Sequence, residues 1–76
     1  MGRRGATDLD TSAPLALHRV PINSQGYDRG GAYWGVGAPL YEVIAQDGEG
    51  FFLRAKDRAD AKARIIHTHP DARFFR

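Results

Sequence analysis

One stretch limits what this chain can become. Residues 23–41, NSQGYDRGGAYWGVGAPLY, hold five of the nine glycines, the only tryptophan and all three tyrosines. Gly26, Gly30, Gly31, Gly35 and Gly37 allow positive φ or close backbone approach. Tyr27, Tyr33, Trp34 and Tyr41 add large rings with polar tips. Through Gly37 there is neither a helical apolar period nor a strand alternation. The stretch therefore reads as a long structured loop, and the ring content argues against disorder. Two compatible roles follow. Trp34 and the tyrosines can fold back to cover a small sheet. Alternatively, they form a binding surface, with Asp28 and Arg29 as its polar contacts. Trp, Tyr and Arg are the residue types favoured where binding energy concentrates.

Around this loop the chain reads as one small α+β domain. Residues 1–14 are rich in Gly, Ser, Thr, Asp and Pro and read as a flexible N-terminal tail, leaving 15–76 as the domain. Residues 15–22 predict a first strand, with His18, Val20 and Ile22 on one face. Pro21 lacks a donor and places that strand at a sheet edge. Residues 40–46 predict a second strand with Tyr41, Val43 and Ala45 on one face. Asp47-Gly48-Glu49-Gly50 is a turn signal, and Phe51 to Ala55 or Lys56 pairs back as a third strand. Phe51, Leu53 and Ala55 are its expected core face.

Asp57 is a good N-cap for a helix running to about His67, with Asp60 at the third position. Its expected apolar stripe is Ala59, Ala63 and Ile66, with Ile65 flanking and the Lys62 stem alongside. Asp60 and Arg64 form an i,i+4 pair. Pro70 ends the helix, and residues 73–76, RFFR, read as a short last strand. The expected architecture is an antiparallel sheet of three to four strands with one helix on one face. The other face would carry Phe52, Arg54, Lys56 and Ile44. Aromatic and basic residues on an open sheet face suit single-stranded nucleic acid or a protein interface, and a homodimer is a further option.

Several chemistries find no support. Gly35-Val36-Gly37-Ala38-Pro39-Leu40 begins like a dinucleotide fingerprint but carries Leu at the last glycine position and Pro39 where a helix should open. No GK[ST] follows a glycine loop. Without cysteine there is neither a disulfide framework nor thiolate chemistry, which fits a reducing cytosol. No apolar run reaches membrane-spanning length. The N-terminus lacks the apolar core of a signal peptide. His67-Thr68-His69-Pro70 resembles the zinc-ligand string of JAMM-type metalloproteases, but the Ser-x-x-Asp that should follow is missing. The reading is therefore a non-enzyme with no metal and no cofactor.

Charge is uneven. Residues 1–50 carry four basic and six acidic side chains, a net of −2; residues 51–76 carry seven and three, a net of +4, together the overall +2. A basic C-terminal third can meet nucleic acid or an acidic protein.

From Val20 to Arg76 the chain resembles a group of short uncharacterised proteins of bacterial phages, plasmids and integrated elements. The resemblance lies in PINSQGYDRGGAYWGVGAPLY, FFLRAKDRADAKARI and HPDARFFR, and brings no catalytic residues. Small proteins of such elements include anti-CRISPR inhibitors, which bind a CRISPR-Cas effector complex and block target recognition or nuclease action. The resemblance thus implies a protein partner of that kind in the cytoplasm of a bacterial host. Many anti-CRISPR proteins are acidic DNA mimics; this basic chain departs from them, so it would cover an acidic protein surface or compete at a nucleic-acid channel. The expected protein contacts are Tyr27, Asp28, Arg29, Tyr33 and Trp34. For the second reading, a small nucleic-acid-binding protein, they are Phe52, Arg54, Lys56, Arg58, Lys62 and Arg64.

Overall fold

The computed structural model describes residues 9–75. Strands β1 (Ala16–Val20), β2 (Leu40–Ile44) and β3 (Gly50–Arg54) form one antiparallel sheet in that spatial order, and helix α1 (Arg58–Thr68) follows. The small α+β architecture expected from the sequence is present. Register pairs Leu17 with Val43 and Val43 with Phe51, then Tyr41 with Leu53. Strand side chains alternate, so these residues share one face. Leu15, Ala45, Ala55, Ala61 and Ile65 complete the core on that face, with Phe51, Leu53 and Phe74 packed against it.

The β2–β3 hairpin closes as its turn signal requires. Ala45 N–H donates to the Glu49 carbonyl, Gly48 N–H donates to the Ala45 carbonyl, and Gly48 sits at φ +87°. This is a type I turn with a left-handed glycine, whose bulge lets the strands keep their twist. The Asp47 carboxylate accepts from Glu49 N–H and fixes the same turn.

Helix α1 starts where Asp57 stops it from running further back: its carboxylate accepts from Asp60 N–H at 2.8 Å. Asp60 in turn accepts from Lys56 N–H and from Arg64 Nε, both at 3.0 Å. The Lys56 amide first, and Arg64 second, hold the Asp60 carboxyl below its ordinary range. The helix ends at His69, whose N–H still reaches the Ile65 carbonyl, before Pro70.

Three expectations need correction. The buried helix residues are Ala61 and Ile65, whereas Ala59 and Ala63 are exposed and Ile66 remains 41% exposed. Ala61, Ile65 and His69 form an i,i+4 row that meets the sheet. Long stems flank it, with the Lys62 ammonium 5.6 Å from the Phe74 ring centroid. The tail boundary also shifts: Leu9 lies in the core cluster, and Asp10 and Ser12 bond to Gln46. Residues 1–8 of the expected tail lie outside the described residues. Finally, the expected last strand is reduced, among the described residues, to one parallel bridge between Leu15 and Phe74; Arg76 lies outside them. Among the described residues no helix is long and apolar enough to cross a membrane.

The helix assignment has a direct check. Ile65→Ala should cost about 2–4 kcal/mol in denaturant unfolding, because it opens a cavity at a fully buried site. Ile66→Ala should stay within about 1 kcal/mol of the parent. The reverse order would restore the stripe expected from the sequence.

Candidate functional site

Residues 21–39, between β1 and β2, hold no named strand or helix, yet hydrogen bonds tie their backbone together from Asn23 to Gly35. They are built from one turn used twice. In the first, the Asn23 side-chain oxygen accepts from Gln25 N–H and Tyr27 N–H, Asn23 N–H donates to the Tyr27 carbonyl, and Gly26 N–H donates to the Asn23 carbonyl. In the second, Asp28 makes the same four bonds with Gly30, Ala32 and Gly31. Gly26 at φ +93° and Gly31 at φ +88° occupy the matching left-handed position. An Asx side chain that mimics the backbone makes such turns self-sufficient.

The second turn sets Tyr27 opposite Tyr33 as an isolated antiparallel bridge, with ring centroids 5.0 Å apart. The chain then crosses its own start. Trp34 N–H and Gly35 N–H both donate to the Gly26 carbonyl, at 2.7 and 3.2 Å. A Cβ on Gly26 would stand 2.8 Å from the Gly35 carbonyl carbon. This position needs glycine both for its φ and for the crossing.

Two contacts fasten the loop to the sheet face opposite the helix. The Trp34 ring packs on Phe52 of β3 with centroids 4.7 Å apart, and its indole N–H donates to Asp28 Oδ2 at 2.8 Å. Arg54 of β3 donates through Nη2 to the Trp34 and Gly35 carbonyls, at 2.6 and 3.0 Å, and through Nη1 to the Ala38 carbonyl. Asp28 thereby carries the turn and the indole on one carboxylate. The Trp34 hydrogen bond, followed by the Ala32 amide, holds that carboxyl below its ordinary value of 3.8.

The sheet face expected to be open is therefore partly covered, because the loop places carbonyls on Arg54 and a ring on Phe52, which remains 43% exposed. Three other basic residues of that set are also engaged. Arg58 donates to the Leu17 and Phe75 carbonyls, Lys62 lies over Phe74, and Arg64 pairs with Asp60. Lys56 is exposed, with its amide on Asp60. Of the five expected loop contacts, Trp34 and Asp28 are half-buried braces. Tyr27, Arg29 and Tyr33 face solvent, Tyr33 at 66% exposure. Beside them lies a hollow of about 250 Å³ lined by Pro21, Ile22, Asn23, Tyr27, Asp28 and Arg29. Val36, which sequence reasoning did not single out, is exposed at 74% on the same loop. The matched spacing Asn-x-x-Gly and Asp-x-x-Gly was the signal for the doubled turn.

Histidines of the HTHP string do not converge. His69 is buried beside the Phe51 ring, 6.3 Å between centroids, while His67 is exposed. Among the described residues no group of three or more His, Asp or Glu side chains is placed to hold a metal ion.

Gly26→Ala should destabilise the fold by about 1–3 kcal/mol in chemical unfolding, with loss of the Trp34 environment in fluorescence. The pH response has a definite sign. A carboxyl with a depressed folded pKa contributes stability above its unfolded value, and that contribution is lost as pH falls through the folded one. Trp34 fluorescence should therefore change only on acidification below the ordinary carboxylate range. Asp28→Asn should remove that transition, whereas Asp60→Asn should leave it in place. Comparison of the chain with family models, with curated proteins and with solved structures gives no match.

Proposed function

We propose that this is a non-enzymatic binding protein that docks another protein through the outer side of its 21–39 loop. Its concrete form, in this reading, is an anti-CRISPR inhibitor from a mobile element, acting in the bacterial cytoplasm on a CRISPR-Cas effector complex. The observation that carries the docking reading is the division of labour in the loop. Trp34, Asp28, Asn23 and Gly26 are spent on holding the backbone, and Tyr27, Tyr33 and Arg29 remain outside beside a small hollow. Rings held on a braced backbone lose little entropy on binding and can bury large area. The choice of an effector complex rests on the resemblance of PINSQGYDRGGAYWGVGAPLY and the two later segments.

Engagement of Arg54, Arg58, Lys62 and Arg64 within the chain weighs against nucleic acid as the primary partner. A phosphate-tracking surface needs such groups free.

Expression of the protein in a CRISPR-immune host should restore plating of a targeted phage. The purified protein should bind the purified effector complex after nuclease treatment. Tyr33→Ala and Arg29→Ala should each weaken that binding by about tenfold or more while leaving the thermal midpoint unchanged. Binding that vanishes with nuclease, or falls steeply with salt and with Lys56→Glu, would replace this reading with nucleic-acid binding.

A further inference from the structure

The two edges of the sheet are treated differently. On the outer side of β1, Leu15 N–H donates to the Arg73 carbonyl and Phe75 N–H donates to the Leu15 carbonyl. The Arg58 guanidinium takes the Leu17 carbonyl. That edge is capped at Leu15 and at the Leu17 carbonyl. The outer side of β3 has no such cover among the described residues. Ala45 with Glu49, and Pro39 with Ala55, bracket the β2–β3 ladder. Antiparallel alternation then turns Glu49, Phe51, Leu53 and Ala55 toward β2, and leaves the N–H and C=O groups of Gly50, Phe52 and Arg54 pointing away. The edge stops at Lys56, whose N–H is taken by Asp60.

Exposed edges are normally blunted by Lys, Pro, a bulge or a covering loop. This one reads Gly-Phe-Phe-Leu-Arg, with Phe52 still 43% exposed beneath Trp34, and Phe51 and Leu53 half-buried on the other face. It is also self-complementary. The strand runs from an acidic end, Asp47 and Glu49, to a basic end, Arg54 and Lys56. A second copy turned antiparallel brings ends of opposite charge together, with Glu49 on the helix face and Arg54 and Lys56 on the loop face, so the ends attract at a distance and form no ion pair. Centred on Phe52, the pairing sets ring against ring and Phe51 against Leu53 of the second copy. It also puts Gly50 opposite Arg54, so the position facing the loop-bearing arginine has no side chain to collide with it.

We propose that two copies of this chain pair through β3, antiparallel and centred on Phe52, to form a continuous six-stranded sheet. Main-chain bonds supply the affinity, and the aromatic and apolar cross-strand pairs set the register. The two-fold axis stands normal to the sheet, so both Trp34–Phe52 faces lie on one side. Both Tyr27–Tyr33 pairs are then displayed together, as a two-site surface for a partner with repeated subunits. That last consequence rests on the docking reading; the pairing itself does not.

Sedimentation equilibrium of the full chain, without any partner, tests the pairing. The mass should rise with concentration from one chain to two, and no further. Phe52→Lys, which sets like charges face to face, should weaken the dimer by about tenfold or more. Phe52 also carries Trp34, so a second measurement leaves the rings alone. On the unaltered chain, exchange of the Phe52 and Arg54 amide hydrogens should slow as concentration rises, because the pairing buries those outward N–H groups. A chain that stays monomeric at all concentrations overturns the proposal. So does a dimer indifferent to Phe52→Lys, or one in which the Phe52 and Arg54 amides exchange as fast as in the single chain. Either result leaves the loop's binding to an effector complex to be judged by its own assay.

Discussion

The loop's place on the sheet rests chiefly on one guanidinium. Arg54 leaves β3 on the face opposite the helix and donates to three backbone carbonyls, those of Trp34, Gly35 and Ala38. An arginine suits this because its donors form a fixed planar fork that can serve several acceptors at once. Hydrogen bonds from a charged donor to neutral carbonyls are each worth about 1.5–3 kcal/mol net. Without them the 34–38 segment would have no attachment to the sheet beyond the Trp34 ring on Phe52. Register also matters: Arg54 stands opposite Leu40 and Phe52 opposite Glu42, so a one-residue slip would send both anchors to the helix side.

Above that anchor the loop is organised by local chemistry. Asn23 and Asp28 each satisfy their own turn, and a left-handed glycine closes each one. The same turn geometry, with Ala45 in place of the Asx residue, closes the β2–β3 hairpin. There the Asp47 carboxylate, two residues on, takes the Glu49 N–H; in the loop the side-chain oxygen of the first turn residue takes the corresponding N–H of Tyr27 or Ala32. This explains how a long segment between two short strands can be ordered without regular structure.

The result is a three-layer object made from a short chain: helix, sheet and loop. Small domains bury a low fraction of their surface and need every covering layer they can build. Here the loop takes the position that a second helix would hold in a larger α+β protein. Its inner residues act as packing, and its outer residues face solvent. Leu40 shows the effect, since it lies on the loop side of β2 and is almost fully buried.

Much of this was readable from residues alone. Alternation in Tyr41-Glu42-Val43-Ile44-Ala45 and in Phe51-Phe52-Leu53-Arg54-Ala55 placed two strands and their core faces. Asp47-Gly48 placed the turn, and Asp57 with Asp60 placed the helix start, because each signal acts over a few residues. The helix face was not readable. Ala59, Ala61, Ala63, Ile65 and Ile66 support more than one stripe, and Arg58 and Lys62 could lie along the core or point to water. Only the sheet beneath, with Leu17, Val43 and Phe74 already in place, chose Ala61 and Ile65. The fate of Leu9, of the RFFR segment and of Arg54 was hidden for the same reason. Each is settled by a partner many residues away, and short-range pattern carries no information about which distant carbonyl or ring will be within reach.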